Sequence, residues 1–301
     1  MNSVCVLVPT YNGEKYIVAF LNSLLKQTYR PIRVIISDDA STDNTVGLIE
    51  KWKQKRKLDD KFTLELIKNK ENKGLAHNIK RMSQLVKEDY VFLADQDDIW
   101  HREKVACQVF FLSQNPDVIE CICDRSIIDK NNKLLCKSEN KYLHLLRKKM
   151  TFEQVICRPS VYAANGIALR GAYISDLLDI PSEIVEQDTY ITTMAATYGA
   201  VDFIHRPLVY YRVHSNNLSG CYVLETNRNI FKIYRLLVKG YKRANAAYIT
   251  DGKIIARELK RRRGINLKQY HNKLLNRELK KPYLQALEDI VKKKKVNYFY
   301  R

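Results

Sequence analysis

Four acidic or amide side chains in a row, Asp95-Gln96-Asp97-Asp98, follow directly on the apolar run Tyr90-Val91-Phe92-Leu93-Ala94. Carboxylates at i and i+2 on a turn can converge on one hard cation. Mg²⁺ or Mn²⁺ is typically held by one or two carboxylates together with the phosphates of a substrate. A second acidic pair, Asp38-Asp39, closes another apolar run at 33–37. Two such clusters on one rim repel each other unless a cation or hydrogen-bond donors bring them together. Asp39 is also placed to accept from a base or ribose, as the acidic residue of a dinucleotide fold does. A solvated acidic turn is the competing reading of either cluster taken alone.

The elements that must position these groups are legible as an alternation. Apolar runs at 4–8, 33–37, 62–67 and 90–94 read as strands, and the first, VCVLV closed by Pro9, as one buried on both faces. Between them, helical spacing runs over 14–28, through Val46, Leu48, Ile49 and Trp52, and over 74–86, with Thr42 or Asp43 as N-cap of the second helix. Four strand–helix alternations predict an α/β fold with a parallel, doubly wound sheet and helices on both faces. Ligands in such sheets collect beyond the carboxyl ends of the strands. Those ends are Pro9-Thr10-Tyr11, Asp38-Asp39, 69–72 and Asp95 to Asp98. Downstream the pattern is looser: strands at 118–124 and 163–169, a turn at 129–133 opening a hairpin, a basic irregular stretch at 139–149, a helix over 186–198, and apolar runs at 201–204 and 208–211. An amphipathic helix is expected over 227–248, and 257–263 and 292–295 are basic runs.

Composition bounds the rest. The chain has 301 residues and a formal charge of +19, from 52 basic and 33 acidic groups. Residues 219–301 hold 22 basic and 6 acidic groups, so a nearly neutral body carries a strongly basic end. Such an end suits nucleic acid, an anionic membrane surface or an acidic partner. Seven scattered cysteines suit free thiols in a reducing compartment. Cys121 and Cys123 lack the further ligands of a zinc site and read as alternate residues of a buried strand. The first dozen residues lack the pattern of a secretory signal, and no apolar run approaches the ~20 residues that span a bilayer. A cytoplasmic protein is expected.

The motifs occur in a definite order: VLVPTYNGEKYI, SDDASTDNT, NKGLAHN, FLADQDDIW, EQD and YRVHSNNLSG. In that order, over residues 4 to about 220, the chain resembles the family 2 glycosyltransferases of the GT-A fold, and most of all bacterial, rhamnosyltransferase-like enzymes of surface polysaccharide assembly. The resemblance implies a Rossmann-like, mostly parallel sheet flanked by helices. It implies a nucleotide-sugar-dependent catalytic domain at 1–220 and a basic, mainly helical extension at 221–301. Pro9, Thr10 and Tyr11 would line base and ribose, with Asp39 bonded to the base and Asn72, Gly74 and Asn78 beside the nucleotide. Asp95 would lie near the ribose and Asp97 would ligate Mg²⁺ or Mn²⁺, joined by His214, with Arg206 or Arg212 as other sources of positive charge. Asp98, Trp100, Glu186, Gln187 and Arg212 would shape the donor or acceptor pocket, and Asp188 aligns with the catalytic base. Many relatives carry Gly in place of Ala40, so no unusual backbone geometry is expected there.

The expected reaction is a single inverting displacement, from a UDP- or dTDP-sugar to a glycan acceptor on a polyprenyl diphosphate carrier. It would take place at the inner face of the cytoplasmic membrane, held there by the basic C-terminal helices. Two rivals stand beside it. One is a nucleic-acid-binding protein, against which the segregated charge and the lack of a binding module argue. The other is a catalytically idle scaffold of the same fold.

Overall fold

A computed structural model describes residues 2–56, 58–142, 148–156, 164–214 and 251–266. The first half alternates as its sequence predicts: β1 (Val4–Thr10), α1 (Ile17–Leu25), β2 (Ile32–Asp38), α2 (Thr45–Lys55), β3 (Phe62–Lys68), α3 (Leu75–Ser83) and β4 (Tyr90–Leu93). These strands pair in parallel in the order β3-β2-β1-β4. β1 shows why. Cys5 and Leu7 enter one buried cluster with α3 residues, while Val4, Val6 and Val8 enter the other with α1 residues. A strand buried on both faces needs helices on both, and the period of two divides its side chains between them. Each large apolar side chain so buried contributes about 1.5–3 kcal/mol.

The sheet continues as β8 (Ile167–Arg170), β6 (Val118–Asp129), β9 (Ala200–Val213) and β5 (Ile99–Trp100), with β7 (Leu134–Cys136) on β6 as the expected hairpin. β8 is antiparallel to β4 and β6, whereas β6 and β9 run parallel over most of their length. The helices of this half are α4 (Lys104–Gln114), α5 (Glu139–Tyr142), α6 (Phe152–Ile156), α7 (Ile174–Leu177) and α8 (Gln187–Ala196). A further helix spans 251–263.

Several elements differ from their sequence reading. The runs at 201–204 and 208–211 form one strand, β9; Arg206 and Pro207 are taken up where its pairing with β6 shifts register around Asp124. β6 extends to Asp129 because its far end pairs with both β9 and β7. The 139–149 stretch opens with the short helix α5. The N-cap of α2 is Asn44, not Thr42 or Asp43, although Asp43 accepts the Thr45 N–H at 2.9 Å. Cys121 and Cys123 are buried side by side on β6, as the alternate spacing requires, and burial raises both thiol pKa values.

The helix over 251–263 packs onto the body: Ile254, Ile255 and Leu259 share a buried cluster with Ile174, Ile184, Tyr190 and Met194. The helix expected at 227–248 and the basic run at 292–295 lie outside the described residues. No helix among the described residues is long and apolar enough to cross a membrane.

Candidate active site

Parallel register brings the expected strand ends to one rim: Thr10 pairs with Asp38, Asp38 with Lys68, and the Ala94 N–H reaches the Leu7 carbonyl. Asp39 sits at its centre, buried. Its Oδ1 accepts from Asn69 Nδ2 at 2.8 Å and the Lys73 N–H at 3.0 Å, and its Oδ2 from the Gly74 N–H at 2.7 Å. Gly74 reaches that position with φ +85°, a conformation that favours glycine over any L side chain. Asn78 is fully inside, bonded to Ser37 and Asn69. Asn69 thus joins Asp39 to Asn78, while Asn72 is exposed. Asp38 turns away and holds Thr10 Oγ1 together with the N–H and hydroxyl of Ser41.

Tyr11 is exposed on the rim, its backbone clasped by Gln96: the Tyr11 N–H donates to Oε1 and Nε2 donates to the Tyr11 carbonyl. A Cβ on Gly13 would meet the amide end of that same Gln96 side chain and would displace it from Tyr11. Pro9 lies beneath Tyr11 in β1, level with Ser37.

The acidic loop and the end of β9 are knotted together. His214 Nε2 lies 2.8 Å from Asp97 Oδ2, and the His214 ring stacks on Tyr16 with centroids 5.1 Å apart. Arg212 covers the same tyrosine at 4.6 Å and donates from Nε to the Asp97 carbonyl and from Nη1 to that of Asp129. Asp98 is fully buried and accepts the Arg212 N–H at 3.0 Å and Asn165 Nδ2 at 2.7 Å. Desolvation, then the charges of Asp95 and Asp97, push its carboxyl well above the usual range.

Asp98, Arg212 and Trp100 are thus buried and held by the protein's own groups behind the rim. Trp100 is a core residue between Phe20 and Phe92, with the Lys104 ammonium 4.1 Å from its ring centroid. Lys104 itself is buried, donates to Gln108 Oε1 at 2.8 Å, and is lowered by burial to about 8. Arg206 pairs with Glu103 at the surface, away from the acidic loop.

Asp95 carries the electrostatic signature of the rim. Burial, then the neighbouring charges of Asp97 and Asp188, raise its carboxyl to about 7, against an opposing pull from Arg125. Asp188 stands in the first turn of α8, within reach of that charge cluster. Gln187 turns back to donate to the Ile184 carbonyl, and Glu186 is held above its usual value by desolvation and then by Asp188 and Asp251. Glu120, buried on β6 beneath α8, accepts from Thr192 Oγ1 at 2.8 Å.

The sequence reading missed Tyr16, Asn69, Arg125, Asn165 and Asp251. Asn69 lay at a predicted strand end, and Asp251 was one of only two acids among residues 226–263. Tyr16 lies within the VLVPTYNGEKYI motif, whereas Arg125 and Asn165 meet the site only through tertiary packing and carry no local signal.

The architecture, a parallel-dominated sheet whose carboxyl edge carries this acidic loop, is that of GT-A glycosyltransferases. The Glycosyl transferase family 2 profile matches residues 5–166, more than half of the chain, and the chain belongs to that family. Over 112 residues it is 35% identical to the UDP-Glc:alpha-D-GlcNAc-diphosphoundecaprenol beta-1,3-glucosyltransferase WfaP of Escherichia coli, covering 37% of this chain and 42% of that protein. Over 117 residues it is 32% identical to the poly(ribitol-phosphate) beta-N-acetylglucosaminyltransferase TarS of Staphylococcus aureus, covering 38% and 20%. These alignments thus span less than half of either relative. Among solved structures, TarS residues 1–349 with UDP-GlcNAc match 96% of this chain and 81% of their own (TM-score 0.56, 20% identity). The mannosyltransferase PcManGT of Pyrobaculum calidifontis, with GDP-Man and Mn²⁺, matches 96% and 84% (TM-score 0.59, 18% identity).

Proposed function

We propose that the chain is an inverting glycosyltransferase of bacterial surface polysaccharide synthesis, moving a sugar from a nucleoside-diphosphate donor to a glycan acceptor on a polyprenyl diphosphate carrier. The observation that carries the reading is the 2.8 Å approach of Asp97 to His214, which joins the acidic loop to the end of β9 across 117 residues of chain. WfaP, by its name, uses UDP-Glc and a diphosphoundecaprenol-linked sugar, and TarS is seen with UDP-GlcNAc, so a UDP-sugar is the favoured donor.

The rim fits a divalent cation, although no group of three ligating side chains is preformed among the described residues. The charges of Asp97 and Asp188 raise the cost of ionising Asp95, and an oxygen-and-imidazole pair suits an ion that takes its other ligands from phosphate. Asp97 and His214 would hold Mg²⁺ or Mn²⁺, which when bound supplies positive charge to the departing diphosphate. In this reading the uridine sits against Tyr11 and Asp39. The anchoring of Asp39 by three donors fixes that end of the nucleotide without any induced rearrangement. Arg212, buried, would steady Asp97 through the Asp97 backbone carbonyl.

Asp188 accepts the proton of the attacking acceptor hydroxyl, which displaces the diphosphate from the opposite face of the sugar and inverts the anomeric carbon. A positioned base of this kind contributes about 10²–10⁴-fold. The test is UDP, dTDP or GDP release from a panel of UDP-glucose, UDP-GlcNAc, UDP-galactose, dTDP-rhamnose and GDP-mannose with Mn²⁺. Asp188→Asn is expected to lose at least 100-fold in turnover while binding nucleotide as tightly as the parent. Release from no donor overturns the enzyme reading, and near-parental turnover of Asp188→Asn overturns the base assignment.

A further inference from the structure

We propose that Asp251 is a positioning residue for Asp188, acting across the interface between the helix over 251–263 and the backbone that leads into α8; the inference rests on the reading of Asp188 as the base. Asp251 is 1% exposed. Its carboxylate accepts the Val185 N–H, at 3.2 Å from each oxygen, and the Glu186 N–H at 2.8 Å from Oδ2. Those two amides belong to the last residues before α8, whose first turn carries Asp188.

Val185 itself is 58% exposed, and the turn runs between the buried Ile184 and the start of α8. The two amide bonds to Asp251 fix the direction in which the backbone leaves Ile184 and enters α8. The same helix ties the other end of the segment. Arg262 donates to the Asp179 carbonyl at 2.9 Å and pairs with the Asp179 carboxylate at 2.6 Å, and Lys80 of α3 pairs with that carboxylate too. Beyond α8, Arg263 lies 3.9 Å from the Tyr198 ring centroid and donates to the Thr197 carbonyl.

The stretch from Asp179 to Tyr198 is thus clasped at its start, at the turn before Asp188 and at its end by one helix from the distant C-terminal part of the chain. A general base misplaced by about 1 Å costs on the order of 10²-fold. Loss of the Asp251 carboxylate should therefore appear in the chemical step and not in nucleotide binding.

The experiment compares the parent, Asp188→Asn, Asp251→Asn and Asp251→Glu in the full chain. It uses whichever donor of the panel the parent turns over fastest. Asparagine keeps the volume and one acceptor oxygen, and glutamate keeps the charge but moves it by a methylene. If one fails to fold, the other decides. Both are expected to lower kcat at least fivefold, with donor KM and the Kd for nucleoside diphosphate within twofold of the parent. A kcat loss smaller than fivefold, or a Kd that rises in step with the loss of kcat, overturns the positioning role. If Asp188→Asn is inactive while the Asp251 variants work normally, only this inference falls. If Asp188→Asn works normally, the base assignment falls and takes this inference with it.

Discussion

At Ala40 the backbone turns with φ +61°, between Asp39, which accepts from the Asn69–Gly74 loop, and Ser41, whose N–H and hydroxyl reach Asp38. An L side chain in the left-handed region costs roughly 1–2 kcal/mol, and such strain gathers where surrounding bonds over-determine the chain. Here they do, because each of the two carboxylates flanking the turn accepts three hydrogen bonds. The sequence gives the opposite expectation, since alanine in place of the relatives' glycine argues for ordinary geometry. Ala40→Gly relieves the strain but loosens the unfolded chain by about 0.4–1 kcal/mol. A net gain of about 0.5–1 kcal/mol is expected, seen as a melting temperature about 1–3 °C higher. A melting temperature unchanged or lowered would show that the turn carries no strain. At this scale the site divides by kind. Asp39, Asp97 and Asp188 could be picked out by residue type and motif order, whereas the bracing roles of Asp98, Arg212 and Trp100 could not. A buried carboxylate and an exposed one look alike in a string of letters.

Between elements, β6 and α8 meet through Glu120 and Thr192, and the second carboxyl oxygen of Glu120 has no hydrogen-bond partner. Burial, partly offset by the Thr192 bond and reinforced by Asp188, raises this carboxyl from the usual 4.5 to about 8. Between those two values the folded chain keeps a proton that the unfolded chain releases. The resulting stabilisation is complete below about pH 4.5 and is lost as pH climbs to about 8. Glu120→Gln is neutral throughout and keeps an acceptor for Thr192. Thermal melts of both proteins from pH 5 to 8.5 should therefore diverge, the variant gaining on the parent as pH rises. Parallel curves would mean that Glu120 ionises normally. Legibility in the sequence follows the same logic. The parallel half was readable because each of its elements is a local run with its own period. β9 read as two fragments because Arg206-Pro207 interrupts the apolar pattern, and only pairing with β6 and β5 makes it one strand. α8 was found, but nothing local shows that β6 lies beneath it or that Asp251 holds its approach.

Across the whole molecule, the concentration of basic charge after residue 218 takes on a different meaning once part of it is placed. The helix over 251–263 holds six of the 22 basic and two of the six acidic residues of that end. Arg257 pairs with Glu183 and Glu258, and Arg261 with Glu258. Arg262 pairs with Asp176, Asp179 and Glu258. Much of this basic run therefore joins the C-terminal part of the chain to the body and is spoken for. The remaining 16 basic and four acidic residues lie in 219–250 and 267–301, outside the described residues. Any of them that faced an anionic surface would contribute about 1 kcal/mol close to it, screened by salt within about 10 Å at 0.1 M. Truncation near residue 225 would confound two effects, since it also removes Asp251 and the buried Ile254, Ile255 and Leu259. Ending the chain after residue 266 separates them: it deletes ten basic and three acidic residues and keeps Asp251, Arg262 and Arg263. Co-sedimentation with phosphatidylglycerol vesicles should then fall at least tenfold at 0.1 M salt, while the melting temperature and soluble-donor turnover stay close to those of the full chain. Undiminished vesicle binding would place any membrane contact elsewhere on the molecule. A collapse of turnover with the melting temperature unchanged would show that 267–301 serves the reaction itself.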